Sequence, residues 1–412
     1  MKVLMFGWEF PPFKSGGLGT ACYDLTKGLA DHNVEVTFVM PKAPENAEAE
    51  FVKLVGVNNL CKNIKIKTIT TVLQPYHTSK SYSEKYEKIK LLGTEGNDIY
   101  GTKLHEEVER YTKVAEYLLK EEAEKYDIIH VHDWMTYKAG ILAKKSTKKP
   151  LVAHIHATEF DRTGGNPNHY ISDLEHKGMS AADIVIANSE YTKKNVMRDY
   201  NINPNKIKVV HWGIENERPE YYLKQEKPFK EDKIVLFLGR VTIQKGPEYF
   251  VETAKKVLEH VPNTRFFFAG SGDMMPMIID KVHQLKMEDR FHFLGFVKGT
   301  ESICRTFQMA DLYVMPSVSE PFGLVALESI KNGTPILISK QSGASEVINN
   351  ALKTNFWDVN EMANKIVMTL KYPELYNELK ENSDKEAKKF NLQEPAKKTL
   401  DIYHEAKMLF NK

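Results

Sequence analysis

The sequence is poor in the features that would tie a chain to a membrane, a nucleic acid or an oxidising compartment. Its 412 residues hold three cysteines, Cys22, Cys61 and Cys304, set far apart. So sparse and odd a set builds no disulfide framework, shows no metal-type spacing and suits a reducing cytosol. No apolar run approaches the ~18 residues that a membrane-spanning helix needs. The opening residues carry one lysine and a very short apolar stretch, which reads as a first strand rather than a signal peptide. Charge of one sign is also missing: 57 basic residues face 55 acidic ones, a formal net charge of +2. No global field therefore favours nucleic acid. The lysines at 144, 145, 148 and 149 read as a solvated helix end. Glu106, Glu107, Glu109, Arg110 and Lys113 mix signs where a membrane-surface helix would be basic, so no stable membrane association is expected. Asp-x-Asp is absent, as are internal repeats and low-complexity tracts.

With 42% hydrophobic and 27% charged residues, the chain reads as an ordinary globular protein of two or three domains. Short apolar runs alternate with longer helical patterns. Strands are expected at 3–6, 34–40, 127–132, 151–156, 183–187 and 208–211, with a helix at about 21–31. A polar stretch from Glu215 to Asp232 reads as a linker. A second series follows, with strands at 234–238, 265–269, 291–294, 312–315 and 335–338. The expected fold class is α/β, two doubly wound Rossmann-like domains facing across a cleft. The domains are placed at 1–215 and 216–393, with an amphipathic C-terminal helix at 394–412 crossing back to the first. The tyrosine-rich segment 74–101 is either a surface excursion or an acceptor-binding loop whose rings stack on sugars.

Four constellations carry chemistry. Lys14-Ser15-Gly16-Gly17-Leu18-Gly19 lies between the first strand and first helix. Its glycines permit close backbone approach, and the helix that follows points its amides at an anion. Its spacing is not that of a dinucleotide fingerprint. Arg240 and Lys245 follow the first strand of the second domain, where two fixed cations can hold a diphosphate. Glu320-Pro321-Phe322-Gly323-Leu324 enters a helix that carries Glu328 two turns on, so both carboxylates share a face and Gly323 frees amides for phosphate. Finally, His130 and His132 alternate in one strand, His154 and His156 in another. They are either structural or, with Asp133, Glu159 and Asp161 nearby, a metal site. His156, last in its strand, is expected in the cleft.

Together these motifs resemble the GT-B superfamily of retaining glycosyltransferases, over nearly the whole chain. The resemblance implies that Gly16 and Gly17 lie by the donor phosphates and that Arg240 and Lys245 bind them. It implies that Glu320 contacts the donor sugar, that Glu328 takes the ribose hydroxyls, and that Gly323 and Leu324 belong to the donor site. His156 matches the histidine facing the anomeric centre. Within that group the first domain looks like glycogen synthases. Glu9 matches their early active-site glutamate, Lys14 the lysine of their Lys-Thr-Gly-Gly-Leu motif, and His132-Asp133-Trp134 their His-Asp-Trp, whose aspartate lines the sugar cleft. The third motif instead has the pattern of the family-4 glycosyltransferases. The implied catalytic set is His156, Glu320, Asp133 and Glu9, with no metal and no cofactor beyond the nucleotide-sugar donor. The implied reaction is front-side transfer of glucose from ADP- or UDP-glucose to an α-1,4-glucan. The alternative is a family-4-type transfer to a cell-surface glycan or a small glycoside.

Overall fold

A computed structural model describes residues 1–11, 17–41, 52–56, 103–215 and 227–411. Lys14, Ser15, Gly16, Cys61 and the tyrosine-rich segment 74–101 lie outside the described residues. The chain divides into two compact units, Met1–Trp212 with Leu392–Lys412, and Gly213–Asn391. Among the described residues no helix is long and apolar enough to cross a membrane.

The first unit runs β1 (Lys2–Phe6), α1 (Gly17–Asp31), β2 (Glu35–Met40), β3 (Lys53–Gly56), α2 (Lys103–Glu122), β4 (Ile128–His132), α3 (Trp134–Thr147), β5 (Leu151–Ile155), α4 (Glu159–Thr163), α5 (His169–Ala181), β6 (Ile184–Ala187), α6 (Glu190–Tyr200) and β7 (Ile207–Val209). The second runs β8 (Lys233–Leu238), α7 (Pro247–His260), β9 (Thr264–Ala269), α8 (Met275–Gln284), β10 (Phe291–Gly295), α9 (Thr300–Met309), β11 (Leu312–Met315), α10 (Leu324–Lys331), β12 (Ile336–Ser339), α11 (Ala344–Val347), β13 (Leu352–Thr354), α12 (Val359–Lys371) and α13 (Pro373–Ala387). The last helix, α14 (Gln393–Phe410), belongs to the first unit.

Both sheets are parallel, ordered β3-β2-β1-β4-β5-β6-β7 and β10-β9-β8-β11-β12-β13. Their central strands are apolar on both faces because helices cover both: Val3–Phe6, Leu151–Ile155 and Ile336–Ser339 are buried throughout. Strand order reverses between β1 and β4 in one unit and between β8 and β11 in the other. These switch points are where doubly wound sheets open a crevice at their carboxyl ends. The loops after β1, β4, β8 and β11 carry Glu9, Asp133, Arg240 and Glu320.

The structure amends several local expectations. The edge strands β3 and β13 are too short to stand out in the sequence. β5 ends at Ile155, so His156 follows the strand instead of closing it. Lys144 is not a solvated charge, because its Nζ donates to Asp183 at 2.7 Å and to the Ala181 carbonyl at 2.9 Å.

The helix α14 is fastened to the first unit by specific contacts. Tyr403 Oη lies 2.7 Å from His130 Nδ1, and Lys407 pairs with Asp127 at 2.9 Å. Gly28 of α1 makes the close approach possible: a Cβ there would stand 2.7 Å from the Leu392 carbonyl oxygen and 2.8 Å from Ala396 Cβ. Gly28→Val should therefore lever α14 from α1 and cost about 1–3 kcal/mol, as overpacking does. Denaturant melts of the first unit check this, and a variant of unchanged stability contradicts the packing.

Candidate functional site

In the first unit, the ends of β1, β4 and β5 gather the candidate residues. Glu9 is buried in the loop after β1, and its neighbours are pinned from two sides. Tyr111 of α2 donates its hydroxyl to the Val39 carbonyl at 2.8 Å and packs its ring 5.3 Å from Trp8. Phe10 packs 4.8 Å from Phe38. Gly17 opens α1, and a Cβ on it would meet nothing within 4 Å, so packing alone does not demand a glycine there. Cys22, on the same helix, feels the charges of both Asp133 and Glu9, and burial above all pushes its thiol up well above the ordinary range. Its sulfur lies close to the rings of His132 and His156.

Asp133 is the single residue between β4 and α3, with φ of 58°. Its amide donates to the His154 carbonyl at 3.0 Å, and its Oδ1 accepts the His156 amide at 2.8 Å. Burial raises its carboxyl to about 6 against the pull of Arg162 and of the His156 and Ala157 amides. The four histidines form one column. His130 and His154 rings stack 5.5 Å apart at 7°, His154 and His156 at 4.6 Å, and Trp212 closes the column 5.0 Å from His154 at 3°. His132 Nδ1 and His156 Nε2 share a hydrogen bond of 2.9 Å, and His156 Nδ1 has no hydrogen-bond partner among the described residues.

Among the described residues, two triads could offer ligand atoms to a metal, Cys22 with His132 and His156, and His130 with His132 and His154. His132 Nδ1 and His156 Nε2, however, are already engaged in the hydrogen bond those rings share. A zinc–nitrogen distance near 2.1 Å requires ligand lone pairs to converge on one point. The column as it stands fits stacking better than coordination.

In the second unit, Lys245 Nζ donates to Glu320 Oε2, which also accepts from Ser317 Oγ at 3.2 Å. The Glu320 backbone is fixed as well: its amide donates to the Gln341 carbonyl and its carbonyl accepts from Gly343, both at 2.9 Å. Arg240 donates to Gln244 Oε1 at 3.1 Å. Gly323, at φ 100°, caps α10, with Leu324 opening it and Glu328 half-buried one turn on. The Tyr313 hydroxyl feels the charges of both Glu320 and Glu328.

The sequence reading missed a second tier. Gly270-Ser271-Gly272, after β9, is zipped onto the Arg240 loop. Val241 donates to the Ser271 carbonyl at 2.9 Å, and a Cβ on Gly270 would lie 1.8 Å from the Gly239 oxygen. A glycine pair after an apolar strand was legible as a βα loop. Arg162, Glu175 and Asn188 carried no such signal.

The buried ionisable groups set a pH dependence. Burial, then mutual repulsion, holds His130, His132 and His156 well below 6.5, and burial holds His154 at about 3. Below pH ~6.5 the unfolded chain takes up four protons that the folded chain refuses, so acid destabilises. Asp133 at about 6 and Glu175 at about 7 oppose this, since the folded state keeps protons that the unfolded one releases. Four histidines set against two carboxyls leave the balance toward unfolding in acid. Denaturant melts at pH 7, 6 and 5 should show stability falling with acid, and His154→Gln should remove about one proton from the slope. Stability that is flat or rising toward pH 5 contradicts the buried neutral column.

Residues 2–214 match the starch synthase catalytic domain family, and residues 220–386 match glycosyl transferases group 1. An uncharacterized glycosyltransferase of Methanocaldococcus jannaschii is 32% identical over 362 residues, 84% of this chain and 83% of that protein. A glycogen synthase of Mycobacterium tuberculosis is 25% identical, covering 85% of this chain and 80% of its own. Among solved structures, sucrose-phosphate synthase from Thermosynechococcus elongatus superimposes with a TM-score of 0.75 at 18% identity, over 98% of each chain. HepE of Anabaena, in complex with UDP-glucose, does so with a TM-score of 0.68 at 18% identity, over 98% of this chain and 100% of that one. With its two parallel sheets and both family matches, this chain belongs to the glycogen/starch synthase-like glycosyltransferases of GT-B fold and uses a nucleotide sugar.

Proposed function

We propose that the enzyme transfers glucose from ADP- or UDP-glucose to the end of an α-1,4-glucan with retention of configuration. The observation that carries this reading is the gathering of Glu9, Asp133 and His156 around Cys22 at the switch point of the first unit. That unit is the part of the chain that matches the starch synthase catalytic domain. The UDP-glucose complex of HepE supports a glucose nucleotide as donor.

In this reading the diphosphate leaves and the acceptor hydroxyl attacks on one face of the sugar. A leaving phosphate oxygen accepts the acceptor's proton, so the protein supplies charge and position instead of a base. Arg240, Lys245, the Lys14 side chain, the Gly16–Gly17 amides and the N-terminus of α10 at Gly323 and Leu324 answer negative charge growing on the phosphate. Glu320 contacts the donor sugar and Glu328 the ribose hydroxyls. His156 offers its Nδ1 toward the sugar as a neutral imidazole, and Asp133 and Glu9 stand with it at the switch point of the first unit. The Lys245–Glu320 pair gives the cation a resting partner, so Lys245 need not be stripped of water when the donor arrives.

A second reading, transfer to a cell-surface glycan or a small glycoside, draws on one feature. Glu320 and Glu328 both lie in the part of the chain that matches glycosyl transferases group 1.

Each labelled sugar nucleotide, incubated with and without glycogen or maltooligosaccharides, tests the choice by release of diphosphate. Transfer in α-1,4 linkage is expected, and it should persist after exhaustive chelation. Lys245→Ala and Arg240→Ala should each lower turnover by about two orders of magnitude or more. If all glucose nucleotides are inert with glucan while another sugar nucleotide turns over, the second reading replaces the first. Separately, Glu320→Ala should mainly lower kcat and Glu328→Ala mainly raise the donor KM. Steady-state kinetics showing the reverse would exchange their roles.

A further inference from the structure

The backbone of His156 and Ala157 is gripped at every polar atom. The amides of His156 and Ala157 both donate to the Asp133 carboxylate, the first at 2.8 Å. The His156 carbonyl accepts from Asn188 Nδ2 at 3.1 Å, and the Ala157 carbonyl accepts from Arg162 at 2.7 Å. One residue later, Thr158 and Asp161 close a capping box over α4. We propose that Arg162, anchored by Glu175, is the positioning residue that fixes the backbone at His156 and Ala157 against Asp133. This rests on the reading of His156 and Asp133 as cleft residues.

The anchoring is explicit. Arg162 Nε donates to Glu159 Oε2 at 3.1 Å and its terminal nitrogen to Glu175 Oε1 at 2.5 Å. Glu175 Oε2 in turn accepts the Glu159 amide at 3.0 Å and the Tyr200 hydroxyl. Arg162, Glu159 and Glu175 are each at most 4% exposed. A buried ion network of this kind is weak evidence for stability, because apolar residues of similar volume often serve as well. Its geometric product is specific, however. The guanidinium spends one donor on the residue next to His156, and its rigid fork cannot be imitated by a lysine.

Charge follows the same path. Asp133 is faced by Arg162 and Asp161 from α4, by Cys22 from α1 and by Tyr137 from α3, besides the two amides. Of these only Arg162 is cationic, so its loss lets burial push the Asp133 carboxyl further up.

Arg162→Gln, Arg162→Lys and Glu175→Gln in the full chain test the proposal. Three readouts are needed: kcat and donor KM across about pH 5–9, donor Kd, and hydrogen exchange of a peptide spanning 154–160. Arg162→Gln should lower kcat at least about tenfold with Kd within about twofold, a misplacement effect. It should also move the acid limb of kcat upward and speed exchange in that peptide. Arg162→Lys, which keeps the charge, should lose kcat and protection while the acid limb stays. Glu175→Gln should repeat the faster exchange in milder form. A folded Arg162→Gln with wild-type kcat, acid limb and exchange overturns the proposal. Should that variant not fold, Arg162→Lys with unchanged kcat and exchange does so. If the wild type proves inert on glucan, kcat is read with whichever acceptor turns over. Exchange needs no acceptor, so failure of the glucan reading and failure of this one are distinguishable.

Discussion

One residue carries the chain from β4 into α3, and the candidate site of the first unit is built on that turn. Asp133 adopts φ 58° with ψ 169°, a conformation that a side chain pays for with roughly 1–3 kcal/mol. What holds it there is reciprocal bonding to the neighbouring strand. Its amide reaches the His154 carbonyl and its carboxylate takes the amides just past the end of β5. The ends of β4 and β5 are thereby stitched together beyond the last ladder hydrogen bond. His132 and His156, which leave those ends, are brought within a shared hydrogen bond. Strain at one residue thus sets the position of three.

The two units solve the same problem with opposite chemistry. At the first switch point the groups are buried and mostly uncharged. Burial keeps the imidazoles neutral and lifts the Asp133 carboxyl toward neutrality. At the second, opposite charges are kept in contact, Lys245 with Glu320, and the backbone around Glu320 is tied on both sides. Under the proposed reading, the first set would face the sugar and its hydroxyls, and the poised cation the leaving diphosphate.

The sequence was most informative where physics is local. Apolar runs of four to six residues announced the central strands, because burial on both faces leaves little room for polar side chains. The loops after β8 and β11 were legible because cations, glycines and carboxylates cluster within a few residues. The edge strands β3 and β13 were not, since runs of only three or four residues carry no periodic signal. Nor was the Arg162–Glu175–Tyr200 network, whose members sit on three different helices and meet only through the fold. The histidine pairs were seen, but their state was not. Alternation places two rings on one face, while stacking against Trp212 depends on a residue far down the chain.

The C-terminal helix has a consequence for how the molecule is made. Tyr403 reaches the foot of the histidine column at His130, and Gly28 lets α14 lie directly on α1. Both belong to the first unit, yet the whole of the second unit is encoded between its two segments. During synthesis from the N-terminus, the first sheet emerges with one flank of its core uncovered, and it stays so until the second unit has been translated. Over that interval the face of α1 around Gly28 that α14 will cover stays bare, so the first unit is completed only after the second has been made.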